Sequence, residues 1–162
     1  MTRAQDAEPR WFLQNLLFVH VRGADVGGRF GLIELWGPPG DQPPPHVHRE
    51  QDEGFYVIEG EVTLHLPDRE VTLGPGQFFN APAAVPHTYV VTSDQMARFL
   101  VTSCPAGAEA FIEEFSSPAL EFRLPTIDGP PDVPRLVELA AKHGIDILGP
   151  PGMLPKDLAA HE

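Results

Sequence analysis

The sequence predicts an all-β domain, a sandwich or barrel, with one or two short helices towards its C-terminal end. Short runs rich in Val, Ile, Leu, Phe and Thr recur about every eight to twelve residues, with turn residues between them. Nineteen prolines and fifteen glycines in 162 residues supply that punctuation. After Pro105 the apolar period changes from two to helical.

Taken in order, residues 1–10 are expected to form a flexible N-terminal arm. Trp11 to Arg22 reads as one strand. Ala24 to Gly28, with Asp25 and the Gly27-Gly28 pair, turns it into a second strand from Arg29 to Trp36. Gly37 to Pro45 is a stiff, proline-rich connection with few backbone donors. Glu53 to Glu59 is a strand of strong β-formers, and Gly60-Glu61 turns it into Val62 to Leu66, where apolar and polar residues alternate. Further strands are expected at Glu70–Leu73, Gln77–Ala81, His87–Val91 and Met96–Thr102.

Ala106 to Phe115 places Phe111, Ile112 and Phe115 on one helical face. Asp132 caps a second helix running from Val133 to His143, with Pro134 in its first turn and Gly144 just past its end. Val133, Leu136, Val137 and Ala140 form its apolar stripe, suited to packing on the barrel. Ile145 to Leu148 is a short strand. Residues 11–148 form the domain, and 149–162 an extended tail.

Composition narrows the function. A hydrophobic content of 42% supports one folded domain of this length. A formal charge of −12 argues against nucleic acid and anionic membrane as partners. A single cysteine, Cys104, excludes an intrachain disulfide and is assigned to packing. The Trp11 to Val21 stretch is interrupted by Gln14, Asn15 and His20, so neither a signal peptide nor a membrane span is expected, and the cytoplasm is the expected location.

One stretch carries chemistry. His46 and His48 sit one residue apart behind Pro43-Pro44-Pro45, and Glu50, Asp52 and Glu53 follow. On a strand, the two histidines share a face about 7 Å apart at their Cα atoms, so both imidazoles can reach one ion. A carboxylate and a third histidine from elsewhere would complete a site for a first-row metal.

Gly40, His46, His48, Glu53 and Gly60 occupy every fixed position of Gly-x5-His-x-His-x4-Glu-x6-Gly. This resembles the first motif of the cupin family. The second motif, Gly-x5-Pro-x-Gly-x2-His-x3-Asn, is similar to Gly76 through Val91. There Gly76, Pro82 and His87 match, while Ala84 and Val91 replace the glycine and the asparagine. The resemblance implies a single jelly-roll-like cupin β-barrel in which His46, His48, Glu53 and His87 hold one divalent transition metal ion, Fe, Mn, Ni, Co or Zn. It also implies a homodimer, with the Trp11 to Val21 stretch suited to strand exchange, and it makes Glu50 and Asp52 solvated loop charges. His20 and His65 are read as ordinary strand histidines, and His143 as a helix C-terminal residue.

A metal centre with open positions suits three functions. The leading reading is a dioxygenase, resembling quercetin dioxygenase-like cupins, acting on a small enolisable or aromatic substrate with Glu53 as base. Phe55, Phe79 and Tyr89 would contact that substrate, and Tyr56 and Phe78 are further candidates. A metal-dependent isomerase, cyclase or lyase of a carbonyl or polyketide-like substrate is the second, and a non-catalytic binding module the third.

Overall fold

Period-two alternation along the strands builds two facing antiparallel sheets. In the computed structural model, which describes residues 7–161, the strands are β1 (Pro9–Phe12), β2 (Asn15–Val21), β3 (Gly31–Gly37), β4 (His46–His48), β5 (Asp52–Glu59) and β6 (Val62–His65). They continue with β7 (Glu70–Leu73), β8 (Phe78–Ala81), β9 (Thr88–Val91), β10 (Ala97–Cys104), β11 (Ser117–Pro118) and β12 (Ile145–Ile147). Two helices, α1 (Ala108–Phe115) and α2 (Val133–Lys142), lie between β10 and β12.

One sheet runs β11-β1-β2-β3-β10-β5-β8, and a second runs β7-β6-β9. The second is extended by reciprocal backbone bonds of 3.0 and 2.9 Å between His46 and His87, which join it to the β4–β12 pair. This is the jelly-roll arrangement. Alternation points Phe55 and Val57 of β5, Phe99 and Val101 of β10, and Val62 and Leu64 of β6 into a common core. Each such side chain contributes about 1.5–3 kcal/mol on burial.

Two motif glycines are needed for their backbone. Gly40 and Gly60 both have φ of +78°, and a Cβ on Gly60 would stand 2.8 Å from the Ala97 backbone. Ala84, where the motif has glycine, takes the same left-handed region with φ of +61°. Its N–H donates to the His48 carbonyl at 2.7 Å, and the preceding Ala83 N–H donates to Asp52 at 2.8 Å. These two bonds hold an alanine where it costs about 1–2 kcal/mol.

Several expectations change. Trp11 to Arg22 is not one strand but a hairpin, β1 and β2, joined by the two-residue turn Leu13-Gln14. Leu13 has φ of +54° in a position that favours glycine, so no turn residue announced it. Pro9 and Arg10 of the expected arm belong to β1, and residues 1–6 of that arm lie outside the described residues. Leu16, Leu17 and Val19 are buried within the chain's own core.

Cys104 is exposed at the end of β10, because it is one residue beyond the inward-facing Ser103. Asp52 is no loop charge: it opens β5, and it accepts from Asn80 Nδ2 at 3.1 Å as well as from Ala83. The tail contains a 3-10 helix at Pro155–His161 rather than extended chain throughout. The α2 stripe divides, with Leu136 and Ala140 buried and Val133 and Val137 exposed by 53% and 42%. As expected, Asp132 caps α2, accepting the Arg135 N–H, and β12 follows Gly144.

Candidate metal centre

Four donors converge where the sheets meet. His46 and His48 leave the same face of β4, Glu53 points inward from β5, and His87 enters just before β9. Their four ligand atoms all lie within 4.8 Å of one another. Two donors across an ion at about 2.1 Å would be about 4.2 Å apart, so small shifts seat a metal here. Glu53 Oε2 stands 2.8 Å from His87 Nε2, 3.2 Å from His48 Nε2 and 3.8 Å from His46 Nε2. His46 is the most exposed of the four, at 15% of its side chain, and marks the open side.

Each ring is fixed from behind. His46 Nδ1 lies 2.8 Å from the Pro44 carbonyl, His87 Nδ1 3.1 Å from the Val85 carbonyl, and His48 Nδ1 3.0 Å from Gln51 Oε1. All three partners are acceptors, so every Nδ1 carries the proton and every neutral ring turns a lone pair inward from Nε2. The Gln51 amide is oriented by a long 3.4 Å contact from its Nε2 to the Ala106 carbonyl. Sequence reasoning missed Gln51, although it lies within the stretch that carries the ligands.

These residues fit a cation. His48 Nε2 is buried with no hydrogen-bond partner: Glu53 is close, but the alignment does not make a bond. His87 has an acceptor at each nitrogen, Val85 O and Glu53 Oε2, which satisfies only a ring with a proton or a metal on Nε2. Burial opposes charge on Glu53, yet the His48 charge and the nearness of the three imidazoles outweigh it and hold the carboxyl well below its usual range. Burial lowers His46. For His48, burial acts the same way but is exceeded by Glu53, and the net direction is upward. Three imidazoles and a carboxylate suit a divalent first-row metal.

Three of the four, His46, His48 and Glu53, line a small chamber of about 90 Å³, and His87 lies outside its lining. Apart from the donors, its wall is apolar but for the Tyr89 hydroxyl. Phe12 and Phe55 come from the sheet, Phe111 and Ile112 from α1, and Leu136 and Ile145 from α2 and β12. The Tyr89 hydroxyl donates to Asp41 Oδ2 at 2.9 Å, and Asp41 also accepts from Gln14 at 2.7 Å. Burial raises Asp41, and burial together with Asp41 raises the Tyr89 phenol well above its ordinary value, so the phenol stays neutral.

Of the expected substrate contacts, Phe55 and Tyr89 line this chamber and Phe79 does not. Phe79 is only partly buried beneath the Arg69 guanidinium, 5.5 Å away, and Tyr56 and Phe78 are exposed. The other histidines lie outside the quartet: His20 pairs with Glu34 at 2.8 Å, His143 with Glu114 at 2.8 Å, and His65 stands 3.4 Å from Glu70.

The cupin-domain family profile matches residues 37–103, the span holding all four donors. The polyketide cyclase RemF of Streptomyces resistomycificus is 30% identical, over 64% of this chain and 78% of that one, with a TM-score of 0.54. The chain belongs to the cupin superfamily. A second relative is the quercetin 2,3-dioxygenase of Bacillus subtilis (strain 168), 32% identical over 93 residues. That match spans 57% of this cupin but only 28% of the enzyme's own length. A structure titled as a predicted oxalate decarboxylase from Thermotoga maritima shares the fold, with a TM-score of 0.57 at 17% identity over 65% of this chain and 98% of that one. Helix α1, helix α2 and β12 all lie beyond residue 103, so seven of the nineteen residues lining the chamber come from after the profile match. Among the described residues no helix is long and apolar enough to cross a membrane.

Proposed function

We propose that this cupin is a metal-dependent dioxygenase acting on a small, uncharged, enolisable or aromatic substrate. The observation that carries the proposal is the chamber. The imidazoles of His46 and His48 and the Glu53 carboxylate open into a space whose remaining wall is apolar, with no Lys or Arg among the lining residues. Each substrate charge that the metal does not itself bind would cost several kcal/mol to desolvate against such a wall, where no Lys or Arg offsets it. A flat ring with one acidic hydroxyl meets no such cost.

His46, His48, Glu53 and His87 would hold the ion, which when bound supplies Lewis acidity and, if redox-active, a path for electrons to O2. Pro44, Val85 and Gln51 keep the three rings turned inward. Glu53, ionised at neutral pH, is the group placed to take the hydroxyl proton of the substrate. Phe55 and the ring of Tyr89 stand T-shaped at 6.1 Å and offer edges and faces to an aromatic plane. Leu136 and Ile145 close the chamber against water.

The test is oxygen uptake by protein loaded with Fe(II), Mn(II) or Ni(II), presented with a flavonol and a panel of enolisable aromatics. Consumption that depends on Glu53 supports the proposal; metal retained with no oxygen consumed across the panel sinks it. The likeness to RemF favours a second reading, cyclisation or isomerisation of a carbonyl compound with the metal as Lewis acid alone. Turnover undiminished under argon would establish that reading instead.

We further propose a cytoplasmic homodimer. Leu120 and Phe122 are exposed by 86% and 67%, and Phe122 stands 5.7 Å from Trp36, so their faces form an apolar patch on the large sheet. Light scattering that returns a monomer at micromolar concentration would remove the dimer.

A further inference from the structure

Two cavities meet at four side chains. The inner chamber, at about 90 Å³, has room for about three waters and falls below the roughly 300 Å³ at which small-molecule sites begin. Beyond Leu13, Pro44, Leu136 and Ile147, which face both spaces, lies an open cleft of about 970 Å³. The cleft is lined by Trp11 and Phe115, by Val133 and Val137 of α2, and by the loop through Thr126 and Ile127. Its ionisable lining residues are Asp41 and Asp128, with no Lys, Arg or His among the described residues. The chamber has reactive donors without room, and the cleft has room without reactive groups.

We propose that the cleft is the second half of the substrate site. A neutral substrate of two or more rings passes its reacting ring through the four-residue throat to the metal quartet and leaves the remainder in the cleft, against Trp11, Phe115, Val133 and Val137. The proposal rests on the small-molecule function proposed above and adds the size and charge of the substrate.

Two further observations support it. Val133 and Val137 are apolar and exposed on a helix whose other exposed residues, Pro134 apart, are Arg135, Glu138 and Lys142, and the cleft is the space they face. Leu13 keeps a left-handed backbone in a turn that favours glycine, so its side chain is retained despite local strain, at the throat. Of the four throat residues, Pro44 is rigid, Leu136 is held in a helix and Ile147 is paired with His46. Leu13 alone sits in a turn, which makes it the boundary residue freest to move aside. Arg123 and Arg135 stand over the rings of Trp11 and Phe115 at 5.3 and 5.1 Å, but Arg123 is paired with Glu121 and Arg135 donates to the Glu114 carbonyl. Neither is a free cation for an anionic tail, and the exposed Asp128 in the lining disfavours phosphorylated, sulfonated or carboxylated ligands.

The test uses the zinc-loaded, full-length protein, in which binding is read without oxygen chemistry. In the Trp36→Phe background Trp11 is the single tryptophan. Quercetin, with three rings, should quench it at one equivalent, whereas single-ring catechol and a ring-sulfonated quercetin should not. By calorimetry, Val137→Trp and Val133→Trp, both at exposed positions, should each weaken quercetin about tenfold or more and leave catechol within about twofold. Leu13→Gly, which suits the turn, should speed quercetin association several-fold. The proposal is overturned by unchanged quercetin affinity in both tryptophan variants, by equal binding of the sulfonated ligand, or by failure of every multi-ring neutral probe to bind. Oxygen consumption that ignores Val137→Trp would remove the cleft and leave the dioxygenase standing. Cleft-dependent binding without oxygen consumption would do the reverse.

Discussion

Replacing Gln51 by alanine isolates the tautomer that makes His48 a metal donor. The side chain touches no ligand atom on the inner side of the quartet; it accepts from His48 Nδ1 at 3.0 Å on the outer side. With that acceptor gone, the Nδ1–H of a histidine only 3% exposed is left without a partner, at a cost of about 1–3 kcal/mol. The ring avoids part of this by moving its proton to Nε2, and in doing so it loses the lone pair that faces the centre. At about 1.4 kcal/mol per decade, the penalty is about 5- to 150-fold in metal affinity, bracketing the 10–100-fold loss usual for such supporting partners. The lost contact to Ala106, at 3.4 Å, adds little. Zinc competition against a chromogenic chelator measures the affinity, and thermal melting of the metal-free protein separates misfolding from loss of affinity. Gln51→Glu keeps an acceptor and should stay within about threefold of wild type or bind more tightly. Zinc affinity within about twofold of wild type in Gln51→Ala would refute the claim that this amide sets the ring.

Other expectations follow from the same geometry. His48→Ala and His87→Ala should each lose stoichiometric metal by elemental analysis, while His65→Ala, outside the quartet, should retain it; metal kept by His87→Ala would overturn the ligand set. Chelation should lower the melting temperature of the wild type: free metal at a hundredfold excess over Kd is worth about 2.7 kcal/mol, or about 5–10 °C for a chain of this size, and His87→Ala should show no such shift. Ala84→Gly should gain up to about 1 kcal/mol in urea unfolding, since glycine escapes the strain at φ of +61° and gives back part in chain entropy. Burial alone would raise Glu34, but its bonds with Arg98 and His20 bring the net shift below the ordinary carboxylate range. A depressed folded value stabilises above the unfolded value, near 4.5, and the benefit disappears as pH falls through the folded one. Arg98→Met should therefore lose stability at neutral pH and lose less than wild type on acidification; parallel curves would show that the pair contributes nothing.

Spacing was enough to single out the quartet: His46 and His48 share a strand face, His87 is paired with His46 across the sheet, and Glu53 enters from β5 in the other sheet. Local alternation also placed β5, β6 and β7 to within a residue or so. What escaped depends on contacts distant in the chain. Gln51 reads as one more polar turn residue until the ring of His48 is placed beside it. Phe55 and Phe79 are cross-strand partners of the same chemical type, and only the contacts show that Phe55 lines the chamber while Phe79 lies under Arg69. Leu13 hid a hairpin because the turn uses an apolar residue where a glycine or asparagine would have announced it. The wall of the chamber comes partly from Leu136, Ile145 and Ile147, about a hundred residues beyond the ligands they enclose. No local pattern reports such a pairing.

The antiparallel pairing of β12 with β4 has a consequence for how the chain is made. His48 leaves the ribosome about a hundred residues before Ile145, the residue opposite it, which at about 5–20 residues per second is a wait of about 5–20 s. For that interval the outer edge of the ligand strand is open to any stray strand, the usual start of misassembly. Pro43, Pro44 and Pro45 immediately upstream carry no N–H with which to recruit one. The stretch that aims the first histidine thus also keeps that exposed edge from being longer than β4 itself.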